Sequence, residues 1–199
     1  MAKRSNHKYI TKLVSQSDSY KNQIADLVRE KVQKSKALMV AEFNEHPVTR
    51  EVEDGPNSEN ISRTLPSGYG NLYTFIGFRY GSDPTNAVRS LLSLTKVLNQ
   101  MKSRASGNNK IITTFTVSTP SEDQIKSVSK MPWEGGKSWV YGVERGISGF
   151  SHYVYKNYVL SRSTKGLQSK HKALKGSFKP MYDGYITKIL KNFFDRISR

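Results

Sequence analysis

The stretch from Glu42 to Phe78 constrains this chain more than any other. Residues 44–70 are rich in Pro, Asn, Ser, Gly and acids, and run through His46-Pro47-Val48-Thr49-Arg50-Glu51-Val52 into the turn-forming Asp54-Gly55-Pro56-Asn57. So long a segment with few core residues reads as an extended acidic arm, the kind of loop that is functional or held by a partner. It passes through Gly68-Tyr69-Gly70 into Asn71-Leu72-Tyr73-Thr74-Phe75-Ile76-Gly77-Phe78, an aromatic and branched run with the composition of a strand. The core must therefore be built from what lies on either side of the arm.

Before it, Ile10, Leu13, Ser17, Tyr20, Ile24 and Leu27 alternate at steps of three and four, which predicts a helical seam across residues 8–34. Ser17 would weaken a free coiled coil, so this helix is expected to pack on a domain. Ala37 to Phe43 reads as a strand or as the end of that helix. After the arm, Asp83-Pro84 has the form of an N-cap and first helical residue, with Val88, Leu91, Leu92, Thr95 and Leu98 on an apolar face. Gly107-Asn108-Asn109 is a turn, and Ile111–Ser118, Ser138–Glu144 and Phe150–Leu160 read as strands. Pro180 opens a last helix whose apolar face is Tyr185, Ile186, Ile189, Leu190, Phe193, Phe194 and Ile197. The expected fold class is α+β: an antiparallel sheet of about four strands packed by helices. A single domain is expected over 1–199, with an N-terminal helical segment at 1–36, the arm at 44–70, a basic loop at 161–177 and the C-terminal helix at 180–197.

Charge is large and uneven. The 199 residues carry 32 Lys and Arg against 16 Asp and Glu, a formal charge of +16. From Arg145 to Arg199 there are twelve basic residues and two acids, whereas from Glu42 to Asn60 there are six acids and one base. Such a chain is drawn to polyanions or to acidic protein surfaces. An acidic arm and a basic end on one chain can also pair across a head-to-tail interface that closes into a ring; the plain alternative is two solvated faces that never meet. The absence of cysteine excludes disulfides and thiolate metal sites. No apolar run is long enough for a membrane span, and no apolar core follows the basic N-terminus as in a secretory signal. The expectation is a protein of the cell interior or of a particle assembled there.

Signs of catalysis are sparse. His7, His46, His152 and His171 share no metal-ligand spacing, and His46-Pro47 beside carboxylates reads as a turn rather than a cation site. Gly68-Tyr69-Gly70 precedes no Gly-Lys-Ser/Thr and is too short for a phosphate loop. Gly146-Ile147-Ser148-Gly149 lacks the spacing of a nucleophile turn, and Glu134 and Glu144 could pair only through the tertiary fold. No enzyme, cofactor or metal is therefore expected. Tyr153, Tyr155 and Tyr158 near Lys156 and Arg162 could form a stacking platform for single strands, although tyrosines at alternate strand positions are more commonly half-buried sheet residues. Lys165, Lys170, Lys172 and Lys175 are better suited to sequence-neutral phosphate contact.

The arm HPVTREVEDGPNSENISRTL, the segment SGYGNLYTFIGF, the run from Trp139 to Gly146 and the C-terminal GSFKPMYDGYITKILKNFF together resemble the neck and tail-completion proteins of tailed bacteriophages, the head–tail connector or tail-terminator type. The resemblance spans most of the chain beyond residue 40. It implies a structural virion protein in the neck, forming a homo-oligomeric ring of six or twelve copies between portal- or adaptor-side proteins and tail-tube-side proteins. Genomic double-stranded DNA would pass through its lumen, with assembly in the host cytoplasm and no membrane involved. In that setting Glu45, His46, Arg50, Glu51, Glu53 and Asp54 would contact a neighbouring subunit or ring. Lys165, Lys170, Lys172 and Lys175 would line the DNA channel or form the basic side of an interface. A free, sequence-nonspecific nucleic-acid-binding or packaging protein is the alternative; an RNA-binding factor of host type is disfavoured by the missing RNA motifs.

Overall fold

A computed structural model describes residues 2–65, 70–106, 110–132, 136–145 and 184–198. The expected turn at 107–109, the strand Phe150–Leu160, the loop 161–177 and Pro180 lie outside them. The described residues form a mixed helix-and-sheet fold, broadly α+β, in which helices dominate.

Two helices replace the single N-terminal seam. Helix α1 covers Ala2–Gln16 and α2 covers Asp18–Glu45. They are broken by one residue, Ser17, whose extended backbone (ψ 131°) makes it the N-cap position of α2. The second helix runs through Ala37–Phe43, which is therefore its C-terminal end and not a strand, and its buried positions Val32, Ser35, Met39 and Phe43 keep the 3-4-4 spacing of one helical face.

The arm is not extended. Its first part is helix α3, Pro47–Glu53, followed by a 3-10 turn at Gly55–Asn57. Helix α3 starts where Pro47 supplies a preset φ and His46 caps the first turn, and it buries Val48, Thr49, Glu51 and Val52. The expected strand at Asn71–Phe78 is also helical: α4 spans Leu72–Ile76. Its aromatic content suits a strand, but its ends decide otherwise. The Asn71 side chain accepts from the Thr74 N–H, and Gly77 closes the helix at φ 80°, a left-handed conformation that a residue with a Cβ adopts only at a cost.

Helix α5, Pro84–Ser93, begins at Asp83, whose Oδ1 accepts from the Thr85 and Asn86 N–H groups at 3.1 Å. It ends before Leu98, because a hairpin begins at once. Strand β1, Lys96–Ser106, pairs antiparallel with β2, Lys110–Ser118, from Lys96 opposite Ser118 to Ser106 opposite Lys110. The register shifts between Leu98 and Lys102, so β1 carries extra residues there. Two strands are thus described where about four were expected. Helix α6, Glu122–Val128, opens with a capping box between Ser121 and Gln124. The expected strand Ser138–Glu144 is helix α7, Trp139–Arg145, with Trp139, Val140 and Val143 buried at helical spacing. Helix α8 covers Ile186–Ser198 and buries Ile186, Ile189 and Phe193.

The core forms around the second half of α2. Met39 and Phe43 meet Val48 and Val52 of α3, Leu72, Tyr73 and Ile76 of α4, Val88 and Leu92 of α5, Trp139 of α7 and Phe193 of α8 in one buried cluster. The first half of α2 meets the hairpin instead, Lys21, Ala25 and Arg29 lining a cleft with Val97, Leu98 and Phe115, and α1 packs on both elements. No helix among the described residues is long and apolar enough to cross a membrane.

Phe193 is fully buried at the α2–α8 junction, so Phe193→Ala is expected to cost about 3–5 kcal/mol through lost transfer energy and a residual cavity. Urea unfolding checks this; a loss below about 1 kcal/mol would mean that α8 does not close the core.

Candidate interaction surface

Two carboxylates, one buried and one half-buried, hold this part of the molecule together. Glu51 is fully buried. Its Oε1 accepts from the Leu72 N–H at 2.6 Å and its Oε2 from the Ser62 N–H at 2.7 Å. One side chain of α3 therefore caps the start of α4 and anchors the intervening loop. Glu144 does the same for the last helix. Its Oε1 accepts from the Tyr185 N–H at 2.9 Å and the Thr187 N–H at 3.0 Å, and its Oε2 from the Thr187 hydroxyl at 2.8 Å. A carboxylate over the first N–H groups of a helix satisfies orphan donors and suits the helix dipole. Gly184 fits here: its φ is +72°, and an added Cβ would sit 3.2 Å from Glu144 Oε1.

Between the two carboxylates lies an aromatic seam. The Tyr185 ring stacks on Phe43 at 5.9 Å between centroids, tilts on His46 at 4.5 Å and faces Trp139 at 6.3 Å. The Tyr185 hydroxyl is within 2.5 Å of the Thr49 hydroxyl, and burial pushes its phenol pKa well above the ordinary tyrosine value. His46 Nδ1 accepts from the Val48 N–H at 3.3 Å. Burial, with the nearby Lys188 charge, lowers the His46 pKa to about 4. His46 is therefore a neutral hinge residue between α2 and α3.

The acidic segment thus divides into internal and external groups. Glu51, expected to touch a neighbour, is a core residue; its place on the inner face of α3, beside Val48 and Val52, is why. Glu53 pairs with Arg89 at 2.9 Å, and Arg89 also reaches Asn44 at 2.7 Å, joining α5 to the α2–α3 hinge. Glu42, on α2, pairs with Arg196 of α8. Exposed groups are Glu45 at the end of α2 and Arg50, Glu53 and Asp54, which share the outer face of α3 at i, i+3 and i+4 spacing. This exposed set is a mixed-charge surface. Among the described residues no three His, Asp or Glu side chains gather as they would around a metal ion. Lys165, Lys170, Lys172 and Lys175, with Glu134, His152 and His171, lie outside the described residues.

Sequence reasoning missed two surfaces. On α1, Tyr9, Ile10, Leu13 and Val14 are 65, 54, 51 and 40 % exposed; the 3-4 seam had placed Ile10 and Leu13 in a packed face. The second is the outer face of the hairpin, whose four cations lie in a segment, 96–118, without a single acid, a pattern visible in the sequence.

No family model, no curated protein and no solved structure matches this chain.

Two outcomes test the hinge. Glu51→Gln should destabilise by about 1–3 kcal/mol, because the amide end that replaces one oxygen can no longer accept a backbone N–H; an unchanged urea midpoint would contradict the caps described above. For His46, the folded pKa of about 4 lies below the ordinary 6.5. Its contribution to stability is therefore present above pH 6.5 and lost as pH falls through the window down to about 4. His46→Asn keeps a capping acceptor without a titrating ring. Its thermal midpoint should fall less than that of wild type between pH 6.5 and 4, and parallel curves would refute the neutral hinge.

Proposed function

We propose that this chain is a structural protein of the tailed-phage neck, a tail-completion or terminator-type ring of six or twelve copies that joins the head connector to the tail around the DNA channel. The resemblance of the 46–65, 67–78, 139–146 and 176–194 segments to that group motivates the reading. The observation that carries it is the exposed stripe Tyr9, Ile10, Leu13 and Val14, which repeats at i, i+1, i+4 and i+5 along α1. Large apolar side chains grouped on one helical face belong to interaction surfaces. Residues 1–17 also contain four Lys and Arg and no acid. A cationic apolar helix complements a neighbour's exposed Glu45 and Asp54, and two different patches meeting in this way form the heterologous contact from which rings are built.

A second reading, a sequence-nonspecific nucleic-acid-binding or packaging protein, is favoured by the acid-free hairpin. Native mass by light scattering, with electron microscopy of the same sample, separates the two. Rings are expected for wild type, and Ile10→Glu with Leu13→Glu should reduce them to monomers of unchanged helicity. A wild-type monomer that shifts duplex DNA at physiological salt would favour the second reading. In particles, Glu45→Lys with Asp54→Lys should block joining of heads to tails while the protein still folds; joining at wild-type yield would remove the acidic face from the proposal. Glu51 is unsuited to that test, because a lysine there would place a charge in the core.

A further inference from the structure

The β1–β2 hairpin presents one chemically distinct face. Antiparallel partners lie on the same side of the ladder, so Lys102 opposite Thr114, Arg104 opposite Ile112 and Ser106 opposite Lys110 form a single face. Lys102, Arg104, Lys110, Ile112 and Thr114 on it are exposed, while Thr113, Phe115 and Val117 on the other side are half-buried. The Ser103 and Thr113 hydroxyls, 3.1 Å apart, tie the strands together on that inner side. No carboxylate occurs anywhere from Lys96 to Ser118, so the hairpin has no acid of its own with which to neutralise its cations. Helices elsewhere in the molecule behave differently: Lys21, Arg29, Lys34 and Lys126 each have a carboxylate three or four residues away.

We propose that this face, Lys102, Arg104 and Lys110 with the Thr114 hydroxyl beside them, is a sequence-neutral contact for the phosphate backbone of duplex DNA. The inference rests on the neck reading and names the surface that would meet the genome in it. Charge complementarity selects the occupant. Lys102 to Ser106 is five residues and four steps, roughly 13 Å of strand, along which a duplex presents about eight phosphate charges. Three flexible or forked cations on that length can neutralise part of the backbone without fixing a register. Between residues 102–106 and 110–114 there is no Asn, Gln, Asp or Glu side chain of the kind that reads adenine or cytosine, and long cations meet any phosphate alike. The interaction is therefore expected to be independent of sequence and sensitive to salt. The register shift between Leu98 and Lys102 lies at the base of this face, where an irregular ladder increases twist and turns the distal strands relative to the body.

The test uses the full chain and a fluorescent 30-base-pair duplex of random sequence, with binding followed by anisotropy across a salt series and native mass measured on the same samples. Lys102→Gln, Arg104→Gln and Lys110→Gln together should lower the slope of log affinity against log salt by two to three, since each phosphate contact contributes about 0.9. At 150 mM salt the affinity should fall at least tenfold, with thermal midpoint and helicity unchanged. A variant with Gln at Lys165, Lys170, Lys172 and Lys175 removes more charge and serves as the comparison; it should retain a steeper slope than the hairpin variant. The inference is overturned if wild type does not bind the duplex with a salt-dependent affinity, or if the hairpin variant loses no more slope than the comparison. Rings whose DNA binding ignores the hairpin would refute this inference and leave the neck reading intact. A monomer whose DNA binding depends on the hairpin would do the reverse.

Discussion

The buried Glu51 carboxylate is the constraint on which the middle of the molecule depends. Taking a carboxylate out of water costs several kcal/mol, and that cost is offset only where its lone pairs find donors. Here both oxygens accept backbone N–H groups, from residues 11 and 21 positions further along the chain. The consequence is topological. A segment rich in Pro, Gly, Asn and Ser, which has little apolar surface to bury, is folded around a single acid. Helix α4 begins at Leu72 because Asn71 and Glu51 together satisfy its first N–H groups. The loop before it follows the same anchor, with the Asn71 side-chain amide donating to the Pro56 and Ser58 carbonyls at 2.9 and 2.8 Å.

Glu144 repeats the device at the other end of the core, and Tyr185 connects the two. The tyrosine backbone N–H donates to Glu144, its ring lies against Phe43 and His46, and its hydroxyl meets Thr49 two residues before Glu51. One aromatic side chain thereby ties the end of α7 to the α2–α3 hinge. The neutral state of His46 belongs to the same arrangement: a cation there would face the Lys188 charge and a buried ring. The exposed residues of α3 project from a scaffold held by polar contacts, which is what a surface needs in order to present fixed charges to a neighbour.

The elements legible in the sequence were those whose signals are local. Asp83-Pro84 marked α5, the alternation of Ile111 to Ser118 marked β2, and the Ile186–Ile189–Phe193 stripe marked α8, because cap chemistry and hydrophobic period act within a few residues. Asn71–Phe78 and Ser138–Glu144 were read as strands from their aromatic and branched content. Both are helices because tertiary partners fix their ends, and propensity yields to such context. Asn71 three residues before Thr74, with Gly77 after the run, was a usable local hint; in the second case the buried Trp139, Val140 and Val143 have helical spacing. The acidic segment was the largest misreading. Its composition is that of a solvated arm, and nothing in a one-dimensional sequence marks Glu51 as the acid that turns inward. Of the proposed contact residues, Glu45, Arg50, Glu53 and Asp54 do lie at the surface, while His46 is half-buried and Glu51 is internal.

That inward use of charge changes how the surface must work. Of the six acids between Glu42 and Asn60, Glu51 is buried and Glu42 and Glu53 are engaged by Arg196 and Arg89. Glu45, Asp54 and Glu59 remain exposed, about half the complement the composition promised. Exposed ion pairs are individually worth about 0–1 kcal/mol, so three of them cannot hold a ring together. Charge at such an interface sets encounter and register more than affinity. In the proposed neck assembly the affinity therefore has to come from apolar burial, and the four large side chains exposed on α1 are the group able to supply it.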